Sequence, residues 1–90
     1  MHRAPKNPIH PGEMLLKEFL EPAGETQAAF AVRVGWTRAR LNEFVRGKRG
    51  VTADAALDLA EALGTSSKIW MNLQATWDLD VAQKRRHRAA

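Results

Sequence analysis

Residues 36–50 read WTRARLNEFVRGKRG, and within them Arg38, Arg40, Arg46, Lys48 and Arg49 meet only Glu43 as a counter-charge. A guanidinium is a planar donor that pairs with guanine O6 and N7 together, or with a phosphate, so the cluster suits a polyanion carrying those acceptors. In the same stretch Leu41, Phe44 and Val45 recur at the spacing of one buried helix face. With that face inward, Ala39, Asn42, Glu43 and Arg46 point outward, and Arg38 and Arg40 project from the first turn. Arg38 is the first candidate for a base contact. Asn42 offers an amide for adenine, and Glu43 an acceptor for cytosine or for orienting an arginine. Trp36 reads as an apolar staple against Leu41 rather than as a ring stacked on the sugar–phosphate backbone.

Such a helix needs elements to hold it. Hydrophobic spacing reads as helix throughout, with no strict alternation of the kind a half-buried strand requires, so the fold class is all-α with five helices. The first runs from about Pro11 to Glu21, with Leu15, Leu16, Phe19 and Leu20 as its stripe and Pro22 and Gly24 as its stop. The second opens at Thr26, passes through Phe30 and Val34, and ends at Gly35. Thr37 caps the third, which stops at Gly47. Thr52 caps the fourth, whose buried side reads as Ala56, Leu57, Ala60 and Leu63, and Gly64 ends it. The fifth starts near Ser66 and carries Ile69, Trp70, Leu73, Trp77 and Val81 at helical spacing before the chain becomes QKRRHRAA.

Two short capped helices joined around Gly35, the second one basic outside and apolar inside, have the form of a helix-turn-helix over about residues 26–46. A major groove about 12 Å wide admits the second helix of such a pair. Thr26 and Gln27, at the start of the first of the pair, and Lys48 and Arg49, in the glycine-flanked loop, are placed for phosphate. The DNA-facing set is therefore Thr26, Gln27, Thr37, Arg38, Ala39, Arg40, Asn42, Glu43, Arg46, Lys48 and Arg49.

Charge supports this and excludes other classes. The net charge of +4 is unevenly spread: residues 11–80 hold eight Lys/Arg against ten acids, while residues 33–49 alone net +5 and the arms supply the remaining excess. The three histidines lie far apart, there is no cysteine, and no nucleophile, base and orienting group fall together, so neither catalysis, a metal nor a cofactor is expected. No apolar run spans a bilayer and no signal-peptide core is visible, which points to the cytoplasm and, for a DNA binder, the nucleoid. Residues 1–8 read as a flexible arm, 9–82 as the domain and 83–90 as a basic tail, which could track DNA backbone or touch a partner but by default is solvated. On the last helix, Ile69, Trp70, Leu73 and Trp77 either close the core or meet a second copy. Self-association is favoured, because so small a domain can bury only some of Ile69, Trp70, Met71, Leu73, Trp77 and Leu79.

HPGEMLLKEFLEPAG at residues 10–24, NEFVRGKRGVTADAALDLAEALGTS at 42–66 and WMNLQATWDL at 70–79 resemble the HigA-type (VapI-like) antitoxins of the XRE helix-turn-helix group. The resemblance covers about residues 8–82. It implies a lambda-repressor-like five-helix protein that dimerises through its last helix at 66–82, represses its own operon at a palindromic operator on double-stranded DNA, and binds a HigB-like toxin that cleaves mRNA. By position, the family's recognition helix falls on residues 37–46 and its phosphate-facing helix start on Thr26 and Gln27. Trp36, Arg46, Lys68 and Ile69 depart from the family's usual pattern. A stand-alone XRE-type regulator, or a toxin-binding module with little DNA affinity, would share these features.

Overall fold

A computed structural model describes residues 8–89, and among them there are five helices and no strand. The first, α1, is continuous over residues 11–23: an α-helical start at Pro11–Leu15, a π-helical stretch at Leu16–Leu20 and a last α-turn at Glu21–Ala23. The others are α2 (Gln27–Val34), α3 (Arg38–Val45), α4 (Ala53–Leu63) and α5 (Ser67–Ala89). The arm residues Arg3 and Lys6 lie outside the described residues.

Local chemistry sets the boundaries. The hydroxyls of Thr26, Thr37 and Thr52 accept from the backbone N–H three residues on, at 3.1, 3.0 and 3.2 Å, and Ser66 does the same for Ile69 at 3.2 Å. Gly24, Gly35, Gly47 and Gly64 all have positive φ and turn the chain out of a helix.

Pro22 does not end α1; the chain stays helical to Ala23. Proline lacks an N–H and its ring crowds the carbonyl four residues back, here that of Glu18. The preceding π-turn, closed by Glu21 N–H to the Leu16 carbonyl, widens the helix at that point. The wider turn also lets Leu15 and Leu20, five residues apart, both enter the core, leaving Leu16 and Phe19 at its edge.

The core gathers Leu15 and Leu20 of α1, Phe30 and Ala31 of α2, Trp36 from the turn after α2, Leu41 and Phe44 of α3, Val51 from the following loop, Ala55, Ala56 and Leu59 of α4, and Trp70 of α5. Two sequence expectations change here. On α4, Leu59 is buried and Leu57 is 58% exposed, because the Asp58 carboxylate accepts the Trp36 indole N–H at 2.9 Å and fixes the helix's rotation. On α5, Trp70 is 1% exposed, with its indole N–H on Thr65 Oγ1 at 2.8 Å. It is a core residue and cannot serve a surface between copies. The last helix also continues through residues 83–89, where the sequence reading ends it at about 82.

His10 joins three helices. Its Nδ1 accepts the Gly12 N–H at 2.9 Å and caps α1, so the ring proton sits on Nε2. The ring stands edge-on to Phe44 of α3 (5.9 Å) and to Trp77 of α5 (5.1 Å). Gly12 lies directly on the end of α3: a Cβ there would overlap the Phe44 carbonyl and come within 2.9 Å of Val45 Cα.

Two outcomes follow from that junction. Gly12→Ala is expected to lower the unfolding free energy by about 2 kcal/mol or more, since overpacking costs about 1–3 kcal/mol even where side chains can yield and here the obstacle is backbone; a shift in denaturant midpoint too small to resolve would show that α1 slides freely on α3. Burial holds the His10 imidazole below its ordinary value of 6.5, outweighing the upward pull of Asp78 and Glu13. The unfolded chain then binds the proton more readily, so the His10 contribution is complete above about pH 6.5 and is lost as the pH falls below it. Thermal melts between about pH 7.5 and 5 should show this loss, and His10→Asn, which keeps a capping acceptor, should flatten it.

Candidate nucleic-acid interface

α2 and α3 are joined by a turn whose geometry follows from Gly35. With φ of 79° it takes the left-handed conformation, its N–H reaches the Val32 carbonyl, and the Trp36 N–H reaches that of Ala31 at 3.0 Å. This six-to-one closure satisfies the last carbonyls of α2 and throws Trp36 back onto the core. There the indole lies 5.7 Å from Phe44, edge to face.

α3 is eight residues long and amphipathic by necessity. Leu41 and Phe44 are fully buried, and Val45 packs at the core's edge. Arg38, Ala39, Asn42, Glu43 and Arg46 are exposed, and so are Thr37 and, in the following loop, Lys48 and Arg49. At the start of α2, Thr26 is exposed and Gln27 half-buried. Thus the sequence-selected residues lie on two helix starts, one outer helix face and one loop.

They are not equally free. Arg38 has no hydrogen-bond or ion-pair partner among the described residues, and the same holds for Arg46 and Lys48. Arg40 is half-buried, its guanidinium centred 4.1 Å from the Trp36 ring, which holds it flat against the protein at the entrance to α3. Arg49 donates from Nε and Nη2 to Glu43 Oε1 at 3.2 and 2.9 Å, with both side chains about half exposed. Glu43 is thereby engaged as an arginine orienter.

Arg33 leaves the basic group altogether. It makes a two-point contact with the Glu25 carboxylate (2.9 and 3.0 Å) and donates to the Ala62 carbonyl at the end of α4. Hydrogen bonding to Arg33 holds Glu25 below the usual carboxylate range. The positive surface therefore consists of Arg38, Arg40, Arg46, Lys48 and Arg49 against Glu43.

Behind this surface lie supports that spacing alone did not reveal. Gln74 of α5 accepts the Val51 N–H at 2.7 Å and so fixes the end of the Lys48–Arg49 loop, while its amide donates to Asp78 at 2.9 Å. Asp58 anchors Trp36, and His10 backs Phe44. In the sequence, the His10-Pro11-Gly12 start of α1 is a signal for the His10 support, and Asp58 is one of three acids on α4. No group of three or more His, Cys, Asp or Glu side chains among the described residues is arranged to hold a metal ion.

Comparison with known proteins gives the same assignment. A helix-turn-helix family model (HTH_3) matches residues 16–70. Virulence-associated protein I of Dichelobacter nodosus is 42% identical over 76 residues, covering 84% of this chain and 70% of that protein. Antitoxin HigA-1 of Vibrio cholerae is 41% identical over 80 residues, covering 88% and 74%. The solved structure of Pseudomonas aeruginosa antitoxin HigA with the higBA promoter superimposes with a TM-score of 0.86 at 37% identity, covering 92% of this chain and 90% of that one. With its capped helix pair, its basic α3 and these relatives, the chain belongs to the HigA-type antitoxins of the helix-turn-helix family.

Proposed function

We propose that this protein is the antitoxin of a HigBA-type module: a dimer that represses its own operon at a palindromic operator and neutralises a HigB-like, mRNA-cleaving toxin by direct binding. It acts in the cytoplasm, on the nucleoid, and has no catalytic role; no described helix is long and apolar enough to cross a membrane.

One observation carries the DNA part. Arg38 stands unpaired and exposed at the capped start of a helix whose other side is fully buried, so its fork is available to a guanine edge with no internal contact to break. Asn42, one turn on, faces the same way and suits adenine. Phosphates are met by the N–H groups at the start of α2 beside Thr26 and Gln27, and by Arg46, Lys48 and Arg49. Arg40, lying on Trp36, is placed for the backbone flanking the groove. That a relative of 37% identity is solved with its promoter supports the same mode.

In this reading the dimer contact lies apart from Ile69, Trp70, Leu73 and Trp77, the residues the sequence reading named. Trp70 is core, Leu73 is half-buried against the core, and Trp77 is half-buried beside the His10 ring. The outer face of α5 instead shows Met71, Ala75 and Leu79 at four-residue steps, with Met71 40% and Leu79 62% exposed, while Ile69 is exposed on a different side of the helix. A palindromic operator requires the dimer so formed to hold its two α3 helices about one DNA turn, ~34 Å, apart. For the toxin, the exposed acids Glu13, Glu18 and Glu21 of α1 offer a surface suited to a basic RNA-cleaving partner.

Two variants test these assignments. Arg38→Ala should weaken binding to the duplex upstream of the protein's own gene by about 5- to 150-fold, the equivalent of about 1–3 kcal/mol, with a much smaller loss on an unrelated duplex. Equal losses on both, or none, would remove Arg38 from the base contacts. Leu79→Glu should sediment as a monomer with unchanged helicity; a persistent dimer would place the contact elsewhere.

A further inference from the structure

α4 and α5 form an antiparallel hairpin: Trp70 donates to Thr65 near the turn, and Gln74 meets Val51 at the open end. That open end carries the loop with Lys48 and Arg49. Beyond Gln74, α5 continues to Ala89, adding about 22 Å at 1.5 Å per residue. The extension therefore projects from the end of the domain at which the basic loop and the C-terminal end of α3 lie.

Its charge is one-sided. After Asp80 it holds no acid, and Lys84, Arg85, Arg86 and Arg88 follow within five residues. Lys84 is paired with Asp80 at 3.0 Å. Arg85, Arg86 and Arg88 are exposed and make no hydrogen bond or ion pair with any described residue. At about 100° per residue they leave the helix in different directions. Arg88 shares a groove with Pro8, Trp77, Asp80, Val81 and Lys84, in which the Asp80 carboxylate is already paired with Lys84, and neither Arg85 nor Arg86 lines it. A helix C-terminus favours nearby cations, but that effect acts within the last turn and is weak at an exposed site. It accounts for one or two of these side chains and not for the set. A basic toxin would be repelled here, and the apolar stripe of α5 ends before the cations begin.

We propose that the last two turns of α5 are a second DNA-phosphate contact, made by Arg85, Arg86 and Arg88, which adds sequence-independent affinity to recognition by α3. The proposal rests on the DNA-binding function above.

The test uses the full chain with Arg85→Ala, Arg86→Ala and Arg88→Ala combined, alanine being the residue that best preserves the helix. Binding is titrated from 50 to 200 mM salt on the duplex upstream of the gene and on an unrelated duplex of equal length, with Arg38→Ala alongside. Each lost phosphate contact should flatten the log–log slope by about 0.9, so the triple variant should lose about 40-fold less affinity per bound protomer across that range. Its preference for the upstream duplex should be unchanged. An unaltered slope overturns the proposal, as does a triple variant that sediments as a monomer where the parent is a dimer, since the arginines would then belong to a contact between copies. If instead Arg38→Ala keeps full specificity, the α3 assignment fails, while the slope on the unrelated duplex still decides the contact at α5.

Discussion

An isolated helix of eight residues is scarcely populated in water, because the first turn fixes several dihedrals for a single hydrogen bond. α3 has that length, and its sequence adds Asn42, Phe44 and Val45, which are not strong helix formers. It persists because Leu41 and Phe44 are driven into the core, each burial contributing about 1.5–3 kcal/mol. The Thr37 cap contributes about 1 kcal/mol more. The consequence for recognition is direct: the anchored face and the presented face belong to the same two turns, so the rotation that buries Phe44 also aims Arg38. Gly12 and His10 press on the back of that anchor, and Trp36 closes its entrance.

Charge is organised by the same frame. Arg33 looks equivalent to its basic neighbours along the chain, yet it serves as a structural tie between the α1–α2 turn and the end of α4. Glu43 and Arg49 form an exposed pair, and such pairs contribute roughly 0–1 kcal/mol. A phosphate can therefore draw Arg49 away at little cost. Arg40 on Trp36 is held more firmly, because the ring beneath it is fixed by Asp58. The surface thus grades from an unpaired cation through a loosely paired one to a stacked one, and this grading depends on which side chain lies beneath each arginine.

The parts of the fold visible in the sequence are those decided within a few residues. Thr26, Thr37 and Thr52 cap the helices that their chemistry marks, and Gly35 and Gly64 end theirs, because cap bonds and left-handed turns need no distant partner. The exposure of Arg38, Asn42 and Arg46 followed from Leu41 and Phe44 by helical period alone. What the period could not settle was decided by contacts across the fold. Leu57 and Leu59 offer two stripes on an alanine-rich helix, and Trp36 selects one through Asp58. Trp70 and Trp77 lie seven apart on one face, but only the first reaches the interior, since α5 outlasts the body it packs on. His10, near an arm by sequence, became a buried joint because α1, α3 and α5 converge there.

α5 follows from that same limit of size. A small domain cannot bury every apolar residue of a 23-residue helix, so the helix divides by function along its length and around its circumference. Trp70 and Leu73 complete the core, and Gln74 steadies the basic loop. Met71 and Leu79 remain on the outer side, where water contact is unfavourable and a matching stripe would relieve it. Because one rigid rod carries both the stripe and Gln74, joining two copies along it would fix the separation of their loops and of the α3 helices behind them. Spacing of the two reading heads would then be set by helix geometry and not by a flexible connection, which is what a palindromic target of fixed half-site distance requires.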